Sequence, residues 1–245
     1  KTMTLTSFLR DAFMKMPDYR DLSGRLHAGG YDRLNTCYHM GYSFGGTADA
    51  MQMLNQCLYE NFGVDVDFNI EVGFDGVIQM VDYCGGIPVE LTEAEAEYLN
   101  ADDLYVTYDV QSGLQYLDGM AALSYARMRK ADGDADSDIK RTDRQQKVIE
   151  VLFNKVRHLS LKDLQSVADT LLPLVTTTMT PKDVADLMIK MLPHLQNLTF
   201  EKGSIPIKTT YWGELQEPYG SVLLFYPDQN KRLIREFTEG EPNPW

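Results

Sequence analysis

Several things are scarce in this chain, and each absence removes a class of function. Basic residues are outnumbered, 23 Lys and Arg against 36 Asp and Glu, for a formal net charge of −13. A general nucleic-acid surface needs a positive field, so that class is set aside. Cysteine is limited to Cys37, Cys57 and Cys84, with no CxxC pair. The odd set allows one disulfide with a free thiol, or three buried thiols, which better fits the burial preference of free cysteine. The four histidines, His27, His39, His158 and His194, show no metal-ligand spacing and no HExxH, so they read as structural or surface residues. Neither GxxxxGK nor GxGxxG occurs, which leaves a nucleotide-binding loop without support. No run of about 18 apolar residues is present to span a membrane. Internal repeats and low-complexity tracts are lacking too.

What is present is a chain of 245 residues, 44% hydrophobic, long enough for a substantial core. Lys1 lies at the start of an alternating stretch in which Met3 and Leu5 interleave with Thr2, Thr4 and Thr6. That reads as a strand already under way, so an upstream segment with a targeting or anchoring element is expected. Alternation predicts the clearest strand over Val64 to Phe74, and another over Ile87 to Leu91. Helices are predicted from Asn35 to Tyr42, from Thr47 as N-cap to Phe62 with Gly63 closing it, and after Asp75-Gly76. Thr92 should cap the acidic helix that follows it, and Thr180 with Pro181 a later one. Two amphipathic helices, Leu161 to Leu174 and Thr180 to Leu195, precede strands at Ile205 to Tyr211 and Ser221 to Phe225 and a last helix from Asp228 to Phe237. The class is α/β, read as one domain over residues 1–245 with a core of 1–156 and a C-terminal part of 157–245.

Against the acidic background, Arg127, Arg129, Lys130, Lys140, Arg141, Arg144 and Lys147 crowd one segment. Guanidinium groups gathered in one place suit a phosphate, to which the planar fork donates two parallel hydrogen bonds. The competing reading is a solvated loop neutralised by Asp132, Asp134, Asp136 and Asp138. Asp118 is expected to cap a helix through Leu123. An extended stretch from Tyr125 to Arg129 would then put Arg127 and Arg129 on one face. A helix from Arg141 to Leu159 would put Arg141 and Gln145 on one face, with its N-terminus suited to an anion. Two arginine pairs are thus expected to meet one phosphate-bearing group.

Two shorter motifs carry less. Gly41-Tyr42-Ser43-Phe44-Gly45 matches the nucleophile elbow of a serine hydrolase, with His158 and His194 downstream. Ser43 lies too early for the strands that precede an elbow, and its surroundings read as helix. Asp132, Asp134 and Asp136 open like a calcium loop, but Ser137 stands where glycine is needed and Lys140 and Asp143 occupy ligand positions.

Five ordered elements resemble the LytR-CpsA-Psr family of bacterial cell-wall enzymes. They are Ser7-Phe8-Leu9-Arg10-Asp11, with Leu9 where the family has proline; Asp32-Arg33-Leu34-Asn35 followed by Gly45-Gly46; and Phe74-Asp75-Gly76 with Val81-Asp82 and Gly85-Gly86. The fourth runs from Gly113 through Gln115, Leu117, Gly119, Ala122, Leu123 and Tyr125 to Arg127 and Arg129. The fifth is Asp138, Arg141, Arg144, Gln145 and Gln146.

The resemblance implies a mixed central β-sheet with helices on both faces and an apolar lipid tunnel. It implies a phosphotransferase, anchored to the extracytoplasmic face of the membrane, that moves a glycopolymer such as teichoic acid or capsule from a polyprenyl-pyrophosphate carrier to peptidoglycan. A non-catalytic polyprenyl-phosphate-binding module and a polyprenyl pyrophosphatase are the alternatives. Arg10, Asp11, Arg127, Arg129 and Arg141 are the implied catalytic residues; Arg33, Asn35, Arg144 and Gln145 join Arg10, Arg127, Arg129 and Arg141 in substrate binding. Mg²⁺ is the implied cofactor, with its aspartates expected upstream of Lys1. The stretch between Arg129 and Arg141 is longer and richer in Asp than the family pattern.

Overall fold

The computed structural model describes residues 2–129, 137–239 and 244. The chain opens with β1 (Thr2–Phe8), β2 (Phe13–Lys15), β3 (Tyr19–Arg20), β4 (Leu26–His27) and β5 (Tyr31–Arg33), then helices α1 (Leu34–Gly45) and α2 (Thr47–Phe62). Next come β6 (Ile70–Val72), α3 (Phe74–Tyr83), β7 (Ile87–Leu91), α4 (Glu93–Asn100), β8 (Gly113–Leu117), α5 (Gly119–Arg127) and α6 (Ser137–Val156). The chain closes with α7 (Leu161–Leu171), β9 (Val175–Thr177), α8 (Pro181–Met191), β10 (Thr199–Ile205), β11 (Tyr211–Gln216), β12 (Gly220–Phe225) and α9 (Pro227–Thr238). The α/β class is as expected. Among the described residues the strands pair as two-stranded sheets.

The residues gather in two compact units, and these interleave along the sequence. The first comprises Lys1–Met3 and Ile70–Phe200, the second Thr4–Asn69 and Glu201–Trp245.

In the first unit, β7 and β8 run antiparallel, from Ile87 opposite Leu117 to Leu91 opposite Gly113. Ile87, Val89 and Leu91 face the core, where they join Leu99, Leu117, Ala121, Met128 and Val148. Thr92 ends the strand and starts α4 with a capping box. Its hydroxyl accepts from the Glu95 amide, and the Glu95 carboxylate accepts from the Thr92 amide at 3.1 Å. Asp118 caps α5 by accepting from the Ala121 amide at 2.9 Å. At the start of α5, a Cβ on Gly119 would stand 2.3 Å from the Ile78 carbonyl oxygen. Gly119→Ala is therefore expected to force α3 and α5 apart and lower stability by about 1–3 kcal/mol, the usual cost of overpacking. A chemical-denaturation midpoint equal to wild type would refute this.

In the second unit, β2 pairs antiparallel with β5, and β11 with β12. A parallel bridge, Ala12 to Leu223, links the two pairs, and the Leu223 amide donates to the Asp11 carbonyl at 2.8 Å. The backbone at Arg10 and Asp11 is thereby tied to a neighbouring strand. Met14, Leu34, Phe62, Ile205, Phe225 and Ile234 fill the core of this unit. Gly63, at φ 71°, closes α2 as expected.

Four sequence expectations are corrected. The strand foreseen over 64–74 is confined to β6, because Phe74 already opens α3. Val64 and Val66 still pack on the second core, while Phe68, Ile70 and Phe74 are exposed. The stretch from Tyr125 to Arg129 is helical through Arg127, and only Met128 turns extended, at φ −52° and ψ 132°. The foreseen strand from Ile205 to Tyr211 is broken by a 3₁₀ turn at Lys208–Thr210, after Pro206, which has no N–H to give to a ladder. Gly46, not Thr47, occupies the N-cap of α2.

Candidate functional site

The sequence-predicted residues fall into two groups, one in each unit. In the first unit, Arg127 is the last residue of α5, where a cation meets the negative end of the helix. Its Nη1 donates to the Tyr105 hydroxyl at 2.9 Å. The guanidinium lies 4.7 Å from the Phe74 ring centroid and 5.5 Å from that of Tyr105. Two aromatic faces and one hydroxyl thus hold an exposed cation in a defined place. Met128 is fully buried behind it, so the exposed Arg127 and Arg129 stand on either side of a fixed anchor.

The arginines of α6 differ from these and from each other. Arg141 is 8% exposed and Gln145 is exposed, so their i, i+4 spacing does not give them one environment. Arg144, foreseen as a substrate ligand, is instead engaged inside the protein. It is 6% exposed, its Nε donates to Glu95 Oε1 at 2.7 Å, and its Nη1 donates to the Met128 carbonyl at 3.3 Å. The neighbouring Tyr125 phenol is pushed up to about 12 by burial, with the Glu95 charge adding to the effect. It stays neutral at any physiological pH.

In the second unit, Arg10 Nε donates to Asp11 Oδ2 at 3.2 Å, and Arg33 Nε stands 3.9 Å from Asp11 Oδ1. One carboxylate therefore sits between two guanidinium groups. Arg33 also donates through Nη2 to the Tyr219 carbonyl. The Asn35 amide donates to the Arg10 carbonyl at 3.2 Å. Two atoms here, Arg33 Nε and Asn35 Oδ1, are buried without a hydrogen-bond partner. Unsatisfied buried polar atoms cost free energy, and each calls for an explanation such as a functional role or a bound water or ion. Phe13 packs on Tyr219 at 5.0 Å and on Tyr31 at 5.9 Å, forming an aromatic wall beside Arg33.

The other motifs resolve differently. Gly41, Ser43 and Gly45 lie inside α1, and the Ser43 hydroxyl donates to the His39 carbonyl at 2.9 Å. A helix interior offers no strand-to-helix elbow, so the hydrolase reading is overturned. Asp132, Asp134 and Asp136 lie outside the described residues. Among the described residues, no group of three or more His, Cys, Asp or Glu is placed to hold a metal ion. Among them, too, no helix is long and apolar enough to cross a membrane.

Sequence reasoning missed Tyr105, Phe74 as an aromatic support, and Glu95. Tyr105 gave no signal, as it lies in an irregular acidic stretch 22 residues from its partner. For Arg144 a signal existed: Arg141, Arg144, Val148, Val151 and Leu152 fall on one helical stripe, and all are buried.

The profile of the LytR_cpsA_psr family matches residues 1–220. The chain belongs to the LytR_cpsA_psr family. Among relatives in this family, the protein named Probable cell wall biosynthesis protein LcpB, of Corynebacterium glutamicum, is 34% identical over 134 residues, 54% of this chain and 27% of LcpB. Regulatory protein MsrR of Staphylococcus aureus is 24% identical over 98% of this chain and 65% of its own length. The chain thus spans less than two thirds of either relative. TagT, known from B. subtilis, shares the fold. Its structure bound to LIIa-WTA superposes with a TM-score of 0.69 at 22% identity, covering 97% of this chain and 79% of TagT.

Proposed function

We propose that this LytR_cpsA_psr chain is a phosphotransferase that takes an anionic glycopolymer from a polyprenyl-pyrophosphate carrier and joins it to peptidoglycan. The work is placed on the extracytoplasmic face of the membrane, with an anchor and an apolar lipid site belonging to the whole protein. The observation that carries the reading is Arg127, an exposed guanidinium pinned by Tyr105 and Phe74 within the family's own arginine motif. TagT, a protein of the same fold, has been captured with the wall teichoic acid ligand LIIa-WTA, which agrees with a glycopolymer substrate.

In this reading the acceptor hydroxyl attacks the phosphorus that bears the polymer. An O–P bond forms, the phosphoanhydride bond breaks, and polyprenyl phosphate leaves while the acceptor proton passes to solvent or a base. Such a transition state asks the protein for position and charge neutralisation more than for covalent chemistry. In the first unit the exposed Arg127 and Arg129 are the residues offered to a phosphate, and in the second unit, taken by itself, Arg10 is. Asp11 accepts from Arg10 Nε at 3.2 Å and so orients its guanidinium. Arg33 Nε and Asn35 Oδ1 find in the substrate the partners they lack. No step is assigned to Mg²⁺.

The test is transfer from a polyprenyl-pyrophosphate-linked oligosaccharide to peptidoglycan fragments, read as a covalent product and as released polyprenyl phosphate. Both products together support the reading. Release without a covalent product makes the protein a pyrophosphatase, and retention of the lipid with no turnover makes it a binding module; either overturns the transferase.

A further inference from the structure

Two of the three thiols meet inside the second unit. Cys37 on α1 and Cys57 on α2 are both 0% exposed. The Cys37 Sγ lies 3.2 Å from the Met53 carbonyl oxygen. In the i to i−4 register of an α-helix that carbonyl also receives the Cys57 amide, so the Cys37 thiol rests against the turn that carries Cys57. Cys57 Sγ is 3.4 Å from Met14 Sδ, and both cysteines carry free thiols in this structure. The helices approach closely at this hairpin, since a Cβ on Gly41 would stand 2.6 Å from the Ala50 Cα. Cys84 belongs to the other unit, whose residues include no second cysteine.

We propose that Cys37 and Cys57 are joined by a disulfide when the chain folds in an oxidising compartment, stapling α1 to α2. The oxidant is a thiol–disulfide exchange partner, either a small-molecule disulfide or an oxidoreductase carrying one. One cysteine thiolate attacks it to give a mixed disulfide, and the second displaces the spent thiol. One S–S bond forms within the chain, two S–H bonds are lost with their protons going to solvent, and the oxidant leaves reduced to two thiols. The step belongs to the folding chain. Once the hairpin has closed, the neighbouring Cys57 and burial hold the Cys37 thiol far above its ordinary range, so the reactive thiolate is suppressed and no reagent reaches it.

The staple bears on the candidate site by position. Arg33 immediately precedes α1 and Asn35 is two residues before Cys37, so a tie at Cys37 fixes the end of α1 from which both project. The proposal stands independently of the transferase reading.

The experiment produces the whole chain twice in a bacterial host, once exported to the periplasm and once kept in the cytoplasm. Each sample is alkylated in denaturant, digested, and mapped by mass spectrometry without reduction. The expected result is a Cys37–Cys57 linked peptide with alkylated Cys84 from the periplasmic protein, and three alkylated cysteines from the cytoplasmic one. Cys84→Ser should leave the link intact. Three alkylated cysteines in the periplasmic protein, or a link that includes Cys84, would overturn the proposal. A second readout is thermal unfolding: the linked protein should melt higher than the same sample treated with reductant, and identical midpoints would remove the stapling role.

Discussion

Arg144→Ala is expected to lower the unfolding free energy by about 3–5 kcal/mol, the cost of leaving one charge of a buried pair without its partner. The reason is geometric. Arg144 and Glu95 are each under a tenth exposed, and the Nε to Oε1 distance of 2.7 Å is that of a charge-assisted hydrogen bond. Glu95 has a second task, since its Oε2 accepts from the Thr92 amide and so starts α4. Removing the guanidinium strands a carboxylate that is committed to its place by a helix cap and cannot swing out to water without undoing that cap. Met128, fully buried between the two exposed arginines, also loses the donor to its carbonyl. Lysine at position 144 is expected to restore little, because a point charge cannot serve Glu95 and the carbonyl together in the fork's geometry. Urea unfolding of Arg144→Ala, Glu95→Ala and the double variant measures the coupling. A single-variant loss below about 1 kcal/mol would show that the pair is solvated rather than buried.

Arg127→Ala is expected to act in the opposite way, reducing the rate of polymer transfer about 10²- to 10³-fold, or about 2.7–4 kcal/mol, by analogy with deletion of one donor to a developing anion. Its midpoint of unfolding should barely move, because the side chain is exposed and its partners, Tyr105 and Phe74, lose little on its removal. Tyr105→Phe keeps the ring and removes one neutral hydrogen bond, so a loss of about tenfold or less is expected, near 1 kcal/mol. Measuring kcat and KM separately shows whether the cation is needed in the transition state or only to hold the lipid. Transfer unchanged in Arg127→Ala would take the phosphate site away from this residue. The two arginines therefore give opposite signatures, stability without direct chemistry for Arg144 and chemistry without stability for Arg127, although they read alike in the sequence.

That likeness marks where sequence reading stops. The caps at Thr92, Asp118 and Thr180 were legible because each is a side chain answering a backbone amide three residues on. The strand β7 was legible to the residue, because its alternation is bounded by Gly85-Gly86 on one side and the Thr92 cap on the other. What separates Arg127 from Arg144 is contact with residues far away in sequence. Glu95 is 49 positions from Arg144 and Tyr105 is 22 from Arg127, and no local pattern encodes such pairings. Over 64–74 the difficulty was different: the apolar alternation is a pattern of residue types, and it does not become burial throughout, since Val64 and Val66 pack on the core while Phe68, Ile70 and Phe74 are exposed.

The bridge between Ala12 and Leu223 sets a timetable for synthesis. Residues 70–200 are one uninterrupted stretch, and they can collapse as soon as they emerge. The second unit cannot. Ala12 and Leu9 must wait for Leu223 and Ile205, made about two hundred residues later. At about 5–20 residues per second that delay lasts on the order of 10–40 seconds. Through it, Leu9 and Ala12, both buried in the finished unit, stand without their late partners. The arginines of the second group thus reach their final geometry only after the continuous stretch of the first unit has been made.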